Sequence, residues 1–350
     1  MKIGFVISTL GFGGAERVLS ILANFLSAKH SVTIFKFDTQ VPFYEIDKRV
    51  NVVSLDLQSG GIFSKIKRPL GKIFTLRKIF KSGEFDIIIS FMDSTNLLCL
   101  MANLGLKQRL IISEHSEHNF LSLKWRVAKR VLYPLCDGLS VLSKSDQEYY
   151  KYVKNCAVIY NPFFGETDEF NGEFSDEKKE NLIIFVGRLE SVKGCDIFLN
   201  SLKFCDLGDF SVEICGDGSE FARLKSEYES HRVKFKRSVS DIRSYYKRAK
   251  IIVSSSRNEG LGNVLIEACF YCVARVATPT IGACELIENG KNGLISSDFT
   301  PQSLAKKLNL VIKDDNLRAN IAKKAYENRA KFTPQNITQE WLNLINRALK

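Results

Sequence analysis

The feature that most constrains this chain is an alternation of short, unbroken apolar runs with amphipathic stretches. Runs such as Asp86-Ile-Ile-Ile-Ser-Phe91 and Asn181-Leu-Ile-Ile-Phe-Val-Gly187 lack a polar alternation. That is the pattern of parallel strands covered on both faces. Strands are predicted at Lys2–Ser8, Ser31–Phe37, Asn51–Leu55, Asp86–Phe91, Arg109–Glu114, Gly138–Leu142 and Ala157–Tyr160. A second series is predicted at Leu182–Gly187, Phe210–Cys215, Lys250–Ser255 and Val273–Thr278. Helical periods between them make βαβ units, so the fold class is α/β with two doubly wound, Rossmann-like domains. A length of 350 residues supports two domains at roughly 150 residues each. The junction is expected in Asn161–Glu180, which is acidic, turn-rich and without period. This divides the chain into 1–165, 166–333 and a C-terminal helix, 334–350. That helix carries Trp341, Leu342, Leu344 and Ile345 on an apolar face, and is expected to cross back to the first domain.

Composition narrows the class. With 45% apolar and 25% charged residues, the chain is an ordinary globular protein and not a disordered or fibrous one. No apolar run reaches the 18 or so residues of a membrane span. The N-terminus reads as a first strand and not as a leader. Nine scattered cysteines suggest reduced thiols and a cytoplasmic location. Charge is uneven: residues 1–160 hold 22 Lys/Arg and 13 Asp/Glu, a net of +9, while 161–350 hold 28 and 26, a net of +2. A basic half meets nucleic acid, an anionic membrane or anionic ligands, and charge alone does not choose.

Four segments suggest phosphate binding. Gly11-Phe-Gly-Gly-Ala-Glu16 follows the first strand and opens a helix, so that main-chain N–H groups can approach an anion. A plain strand-to-helix turn accounts for it equally well when it is taken alone. Arg188 and Lys193 lie in the loop after Leu182–Gly187, where open α/β sheets bind ligands. Two cations there suit a diphosphate leaving group, although singly each is an ordinary surface cation. Glu259 ends a strand, and Glu267 falls eight positions later, about two turns into the next helix. Between them, Gly260, Leu261, Gly262 and Asn263 would cup a phosphate at the helix start. The fourth segment, Thr280 to Leu294, reads only as a loop.

In this order the segments resemble the retaining glycosyltransferases of family 4, which have the GT-B fold. The likeness is carried by Gly13-Gly14-Ala15-Glu16, Val186-Gly187-Arg188, Lys193-Gly194, Gly216-Asp217-Gly218, and Glu259 with Glu267. It implies two domains facing across a cleft, the first for an acceptor and the second for a nucleotide sugar. It also implies roles. Arg188 and Lys193 hold the diphosphate, Glu267 the ribose, and Glu259 the donor sugar. His115 reaches the sugar, Gly14 packs near the phosphates or acceptor, and Val239 offers its backbone to uracil. No metal is expected, the cations taking its electrostatic part.

Phe43-Tyr44-Glu45, Ile89 to Asn96, Ile111 to Ser116 and Tyr133 to Asp137 resemble a narrower group within the family. Its members extend polyprenyl-diphosphate-linked oligosaccharides with N-acetylgalactosamine from UDP, for protein glycosylation. UDP-galactose, UDP-GlcNAc or GDP-mannose as donor, with O-antigen or capsule as product, is the alternative.

Residues 62–81 hold seven Lys/Arg and no acid. Apolar residues recur there at Ile62, Ile66, Leu70, Ile73 or Phe74, and Phe80, with Pro69 expected to start the helix. Such a helix suits an anionic membrane surface or the acceptor's pyrophosphate through Lys65, Lys67, Arg68 and Lys72, with Tyr44 beside the acceptor. Packing on the sheet with a solvated basic face is an equal reading. Leu121–Leu135, with Trp125, Lys124, Arg126, Lys129 and Arg130, is expected to share that face. The protein is therefore expected to be peripheral on the inner membrane face. Cys269-Phe-Tyr-Cys272 reads as core packing and not as a zinc site. A nucleotide-dependent oxidoreductase is the competing class, although Glu16 stands where the third glycine of the dinucleotide turn belongs; an NAD-dependent absorbance change separates the two. No stretch reads as a nucleic-acid motif.

Overall fold

The computed structural model describes residues 1–57, 64–118, 122–163, 165, 179–237, 239 and 241–350, with the backbone alone for 64–68. Two compact units result: Met1–Phe164 with Phe332–Lys350, and Gly165–Lys331. Most of the predicted junction, 164 and 166–178, lies outside the described residues.

The first unit runs β1 (Lys2–Ile7), α1 (Gly14–Ser27), β2 (Ser31–Lys36), β3 (Val50–Ser54), α2 (Ser64–Lys81), β4 (Ile87–Phe91) and α3 (Asp93–Asn103). It continues with β5 (Leu110–Ser113), α4 (Leu123–Leu132), β6 (Gly138–Val141), α5 (Lys144–Tyr149) and β7 (Cys156–Val158). Among the described residues these strands form one parallel sheet, ordered β3-β2-β1-β4-β5-β6-β7. The unbroken apolar runs have the expected cause. Ile87 and Ile89 pack with α1 on one face, and Ile88 packs with α2 and α3 on the other.

The second unit runs β8 (Glu180–Val186), α6 (Cys195–Ser201), β9 (Ser211–Cys215), α7 (Phe221–Tyr228), β10 (Val233–Lys236), α8 (Ile242–Arg248) and β11 (Ala249–Ser254). Then come α9 (Asn263–Phe270), β12 (Ala274–Ala277), α10 (Ile281–Leu286), β13 (Leu294–Ile295), α11 (Pro301–Lys313) and α12 (Asp315–Glu327). Its parallel sheet is ordered β10-β9-β8-β11-β12-β13. Both sheets reverse direction of growth beside their first strand, at β1/β4 and at β8/β11. Ligands of open α/β sheets bind outside the carboxyl ends of such a pair.

The last helix, α13 (Pro334–Leu349), belongs to the first unit. Thr333 caps it, accepting from the Asn336 amide at 3.4 Å, and Pro334 occupies the first turn, where no N–H is missed. Its apolar stripe packs on α1, β5 and β6, as expected. Trp341 is buried with its ring stacked on Phe91 at 5.7 Å.

Three expectations need correction. Pro69 lies inside α2 and does not start it. The buried face of α2 is Leu76 and Phe80, whereas Leu70 and Phe74 are exposed. Ile62 and the side chains of Ile66, Lys65, Lys67 and Arg68 lie outside the described residues. Finally, Lys129 does not join the basic face of α4, because its side chain turns inward and is 1% exposed. Two strands escaped the sequence reading. β10 is an edge strand that buries Val233 and Phe235 and exposes Lys234 and Lys236, so it lacks a continuous run. β13 is only two residues long.

Candidate functional site

In the second unit the loops after β8 and β11 converge. After β8 the chain passes Arg188 and forms a tight turn over Ser191–Lys193. Gly194 closes that turn at φ 64°, in the left-handed region. A Cβ at Gly194 would collide with the Ser255 carbonyl oxygen, and the Ser255 hydroxyl donates back to the Gly194 carbonyl at 2.7 Å. The Arg257 amide donates to the Val192 carbonyl at 2.8 Å. Its guanidinium grips both Asp196 oxygens, at 2.8 and 2.6 Å. The turn bearing Lys193 is thereby locked to the end of β11.

The result is a direct ion pair between the Lys193 ammonium and the Glu259 carboxylate. Both side chains are about a fifth exposed, at 23% and 20%, so ligand can reach them. Ser256 also donates to Glu259, at 3.2 Å. The loop carrying Glu259 rests on α10, where the Gly282 amide donates to the Glu259 carbonyl at 3.0 Å. A Cβ at Gly282 would stand 2.7 Å from that oxygen and 2.8 Å from Leu261 Cα, so only glycine permits this approach. Thus the segment from Thr280, read only as a loop, is the floor of the site.

Gly260 is half-buried, and Leu261 and Gly262 are buried; Gly262 caps α9 and Asn263 begins it. The first amides of a helix have no partner within it, and they carry the positive end of its dipole. Glu267 is the fifth residue of α9, hence about one turn in rather than the expected two. It is buried and accepts from the Tyr246 hydroxyl at 2.6 Å, with Tyr246 stacked on Tyr271 at 5.3 Å. Arg188 is exposed. Glu190 lies below the usual carboxylate range, chiefly because Ser219 donates to it and, to a lesser degree, because of Arg188. Val239 is half-buried. This surface offers an arginine, a lysine–carboxylate pair and a helix terminus, the elements that bind a diphosphate and a polyol.

The first unit carries its own cluster at the carboxyl ends of β1, β2, β4 and β5. The glycine loop is braced from below. The Gly11 amide donates to Thr9 Oγ1 at 3.1 Å, Thr9 donates to Asp38 at 2.6 Å, and the buried Lys36 ammonium pairs with Asp38 at 2.9 Å. Gly14, exposed, starts α1, and Gly13 caps it with no side-chain partner. After β4, Met92 takes φ 76°, a strained value for a side chain of its size. It sets Asp93 at the start of α3. Asp93 pairs with Lys129 and accepts from Ser116 at 2.9 Å. Lys129 also pairs with the buried Glu114 at 2.6 Å. Glu114 further accepts from Tyr133, and from Asn96 at 3.0 Å. Burial outweighs the pull of Lys129 and pushes the Glu114 carboxyl up. Asp93, Asn96, Glu114, Ser116 and Tyr133 fell within the segments quoted for the narrower likeness, with no role attached to them, whereas Lys129 was placed on the basic face of Leu121–Leu135. For Asp93 and Glu114 the signal is a charge placed just after an apolar strand.

His115 leaves β5 half-buried, its ring 5.3 Å from Phe91 and its Nε2 3.1 Å from the Ser113 hydroxyl. Desolvation pushes it down to about 4, against a smaller opposing effect of Asp93. The imidazole is therefore neutral near pH 7. Between 6.5 and about 4 the unfolded chain takes the proton more readily than the folded one, so stability falls as pH falls through that window. We expect His115→Gln to flatten this part of a melting-temperature-against-pH curve. At about 1.4 kcal/mol per pH unit, the wild-type loss is at most about 3.5 kcal/mol. An unchanged curve would refute the assignment. Tyr44 is half-buried in an aromatic cluster, and Lys72 lies over the Phe37 ring at 4.5 Å.

Comparisons with known proteins identify the family and the fold. Residues 166–328 match the family described as glycosyl transferases group 1, and residues 12–163 match Glycosyltransferase Family 4. A Campylobacter jejuni protein is 39% identical over 99% of this chain and 98% of its own length. It is named GalNAc-alpha-(1->4)-GalNAc-alpha-(1->3)-diNAcBac-PP-undecaprenol alpha-1,4-N-acetyl-D-galactosaminyltransferase. The amylovoran biosynthesis glycosyltransferase AmsD of Erwinia amylovora is 28% identical over 95% of this chain and 96% of its own. Among solved structures, Anabaena HepE in complex with UDP and glucose superposes with a TM-score of 0.78 at 21% identity, covering 99% of both chains.

Proposed function

The chain belongs to the family 4 glycosyltransferases and has their GT-B class of fold, and from that premise we propose that it transfers N-acetylgalactosamine from UDP to a polyprenyl-diphosphate-linked oligosaccharide. The observation that carries this is the Lys193–Glu259 pair beside the amides of α9, joined to the relative's named reaction. Arg188 and Lys193 take the diphosphate and disperse its charge as it leaves. When phosphate draws Lys193 away, Glu259 is released to accept from donor-sugar hydroxyls. Glu267, already oriented by Tyr246, holds the ribose, and the Val239 backbone meets the uracil. His115, neutral, is assigned to the sugar. The reaction retains configuration, the acceptor attacking from the face the phosphate leaves while that phosphate takes its proton. Cations and the helix terminus supply the electrostatics that a metal would otherwise supply.

The acceptor's lipid places the enzyme on a membrane surface. No helix among the described residues is long and apolar enough to cross a membrane. Support for a peripheral seat comes from α4, which exposes Leu123, Val127 and Val131, with Leu135 beyond its end. These positions are spaced four apart and therefore form one stripe. Lys124, Arg126 and Arg130 are exposed beside it. α2, α3 and α4 pack side by side, and α2 adds exposed Leu70 and Phe74. Cations with aliphatic side chains suit an anionic interface.

The test is a donor screen read by mass, with a polyprenyl-diphosphate glycan as acceptor, in solution and on anionic vesicles. The expected product gains one N-acetylhexosamine from UDP-N-acetylgalactosamine; extension only from UDP-galactose, UDP-GlcNAc or GDP-mannose would correct the donor. No extension from any of them would end the proposal. Val127→Asp combined with Val131→Asp is expected to weaken vesicle binding by at least about tenfold with UDP affinity kept. Unchanged vesicle binding would remove the membrane seat.

A further inference from the structure

An aromatic cluster stands at the carboxyl ends of β1 and β2, and neither the core nor the charged residues above account for it. Phe12 and Phe43 are 69% and 62% exposed. Phe12 packs edge-on to Phe43 at 5.0 Å, Phe43 edge-on to Tyr44 at 5.1 Å, and Phe12 lies within 24° of parallel to Tyr44 at 6.5 Å. Edge-to-face packing leaves ring faces uncovered by their neighbours. The two loops are not loose. The Phe43 amide donates to the Leu10 carbonyl at 2.9 Å, and the Thr9–Asp38–Lys36 brace lies beneath. Exposed phenyl rings on a braced support gain nothing for folding and are preorganised for a ligand.

The ligand's chemistry follows from the neighbours. Residues 8–14 and 38–45 contain no Lys or Arg, but they do contain Asp38 and Glu45, the latter exposed. Asp38 is buried and already paired with Lys36, so these side chains offer a phosphate or an anionic headgroup no cation, in contrast to α4 with its exposed cations. A neutral ring with one apolar face and a hydroxylated rim fits both features. The polarised C–H groups of a pyranose meet the negative ring faces, and its hydroxyls find Glu45. The position is also apt, since β1 flanks the switch point of its sheet. We propose that Phe12, Phe43 and Tyr44 form a stacking platform for a pyranose ring of the acceptor oligosaccharide. The proposal rests on the reaction assigned above for its ligand class, and it is distinct from the donor-side residues and from the membrane stripe.

The experiment uses a lipid-free α-1,4-linked N-acetylgalactosamine oligosaccharide as probe, with binding read by saturation-transfer NMR and calorimetry on the full chain. The expected results are binding by the wild type, at least tenfold weaker binding by Phe12→Ala and Phe43→Ala, and restoration by Phe12→Trp. In turnover the acceptor KM rises about tenfold while the donor KM stays fixed. Unchanged circular dichroism, UDP affinity and vesicle binding accompany these. Wild-type levels of binding in both alanine variants, or no binding by the wild type, would overturn the platform. Loss of vesicle binding in place of sugar binding would reassign these rings to the bilayer. Failure of the reaction is separable: oligosaccharide binding through these rings without transfer to any lipid-linked acceptor refutes the reaction and leaves the platform standing.

Discussion

Replacing Glu259 by Gln is expected to lower kcat by roughly 10²–10³-fold while UDP still binds. Gln keeps the shape and the hydrogen bond from Ser256, but it cannot carry the charge that faces the developing positive sugar. It also dissolves the ion pair with Lys193. The freed ammonium then meets phosphate without competition, so UDP affinity holds or rises. Calorimetry with UDP and a mass-based transfer assay read the two effects separately. Activity within tenfold of wild type would remove Glu259 from the chemistry. Loss of UDP binding instead would make it a binding residue only. Asp93 provides a control, because it belongs to the first unit and its change is not expected to alter UDP affinity.

The second large effect is structural. Lys129→Met is expected to destabilise the first unit by about 3–5 kcal/mol. The ammonium is 1% exposed and holds Asp93 and Glu114 together. Removing it leaves the buried Glu114 and the partly exposed Asp93 without the cation between them. Glu114 answers by keeping a proton, which burial already favours, yet Asp93 then lacks its main partner. For a unit of this size the melting transition should fall by about 10 °C. Adding Glu114→Gln to Lys129→Met should recover part of the loss, because Gln is neutral without the cost of protonating a buried carboxylate and keeps an oxygen for Tyr133 and Asn96. Urea unfolding of the two single variants and the double variant measures that coupling. A loss below about 1 kcal/mol for Lys129→Met would show that the cluster relaxes into solvent.

The architecture was largely readable because it rests on local pattern. Runs such as Ile87-Ile-Ile89 have to be buried on both faces, whatever surrounds them. All eleven predicted strands are present, with ends displaced by one or two residues. The misses have separate causes: β10 alternates as an edge strand, β13 is very short, and Pro69 is tolerated within α2. Arg188, Lys193, Glu259 and Glu267 were legible because each follows an apolar strand or opens a helix.

The sequence by itself determined the parallel α/β class, the doubling of that architecture, the last helix's apolar stripe and the placing of Arg188, Lys193 and Glu259 in the loops that follow apolar strands. These depend on period, on strand ends and on the glycines between them, all of which are short-range. Tertiary structure alone decided which charges meet. Lys193 and Glu259 are separated by 66 positions, and Lys129 is separated by 36 from Asp93. Pairing at such distances follows from strand order and from close approaches such as Gly194 upon Ser255, which no local pattern encodes. Lys129 shows the physical reason most plainly: on its helix it is one more cation, and only the carboxylates arriving from β4 and β5 draw it inside.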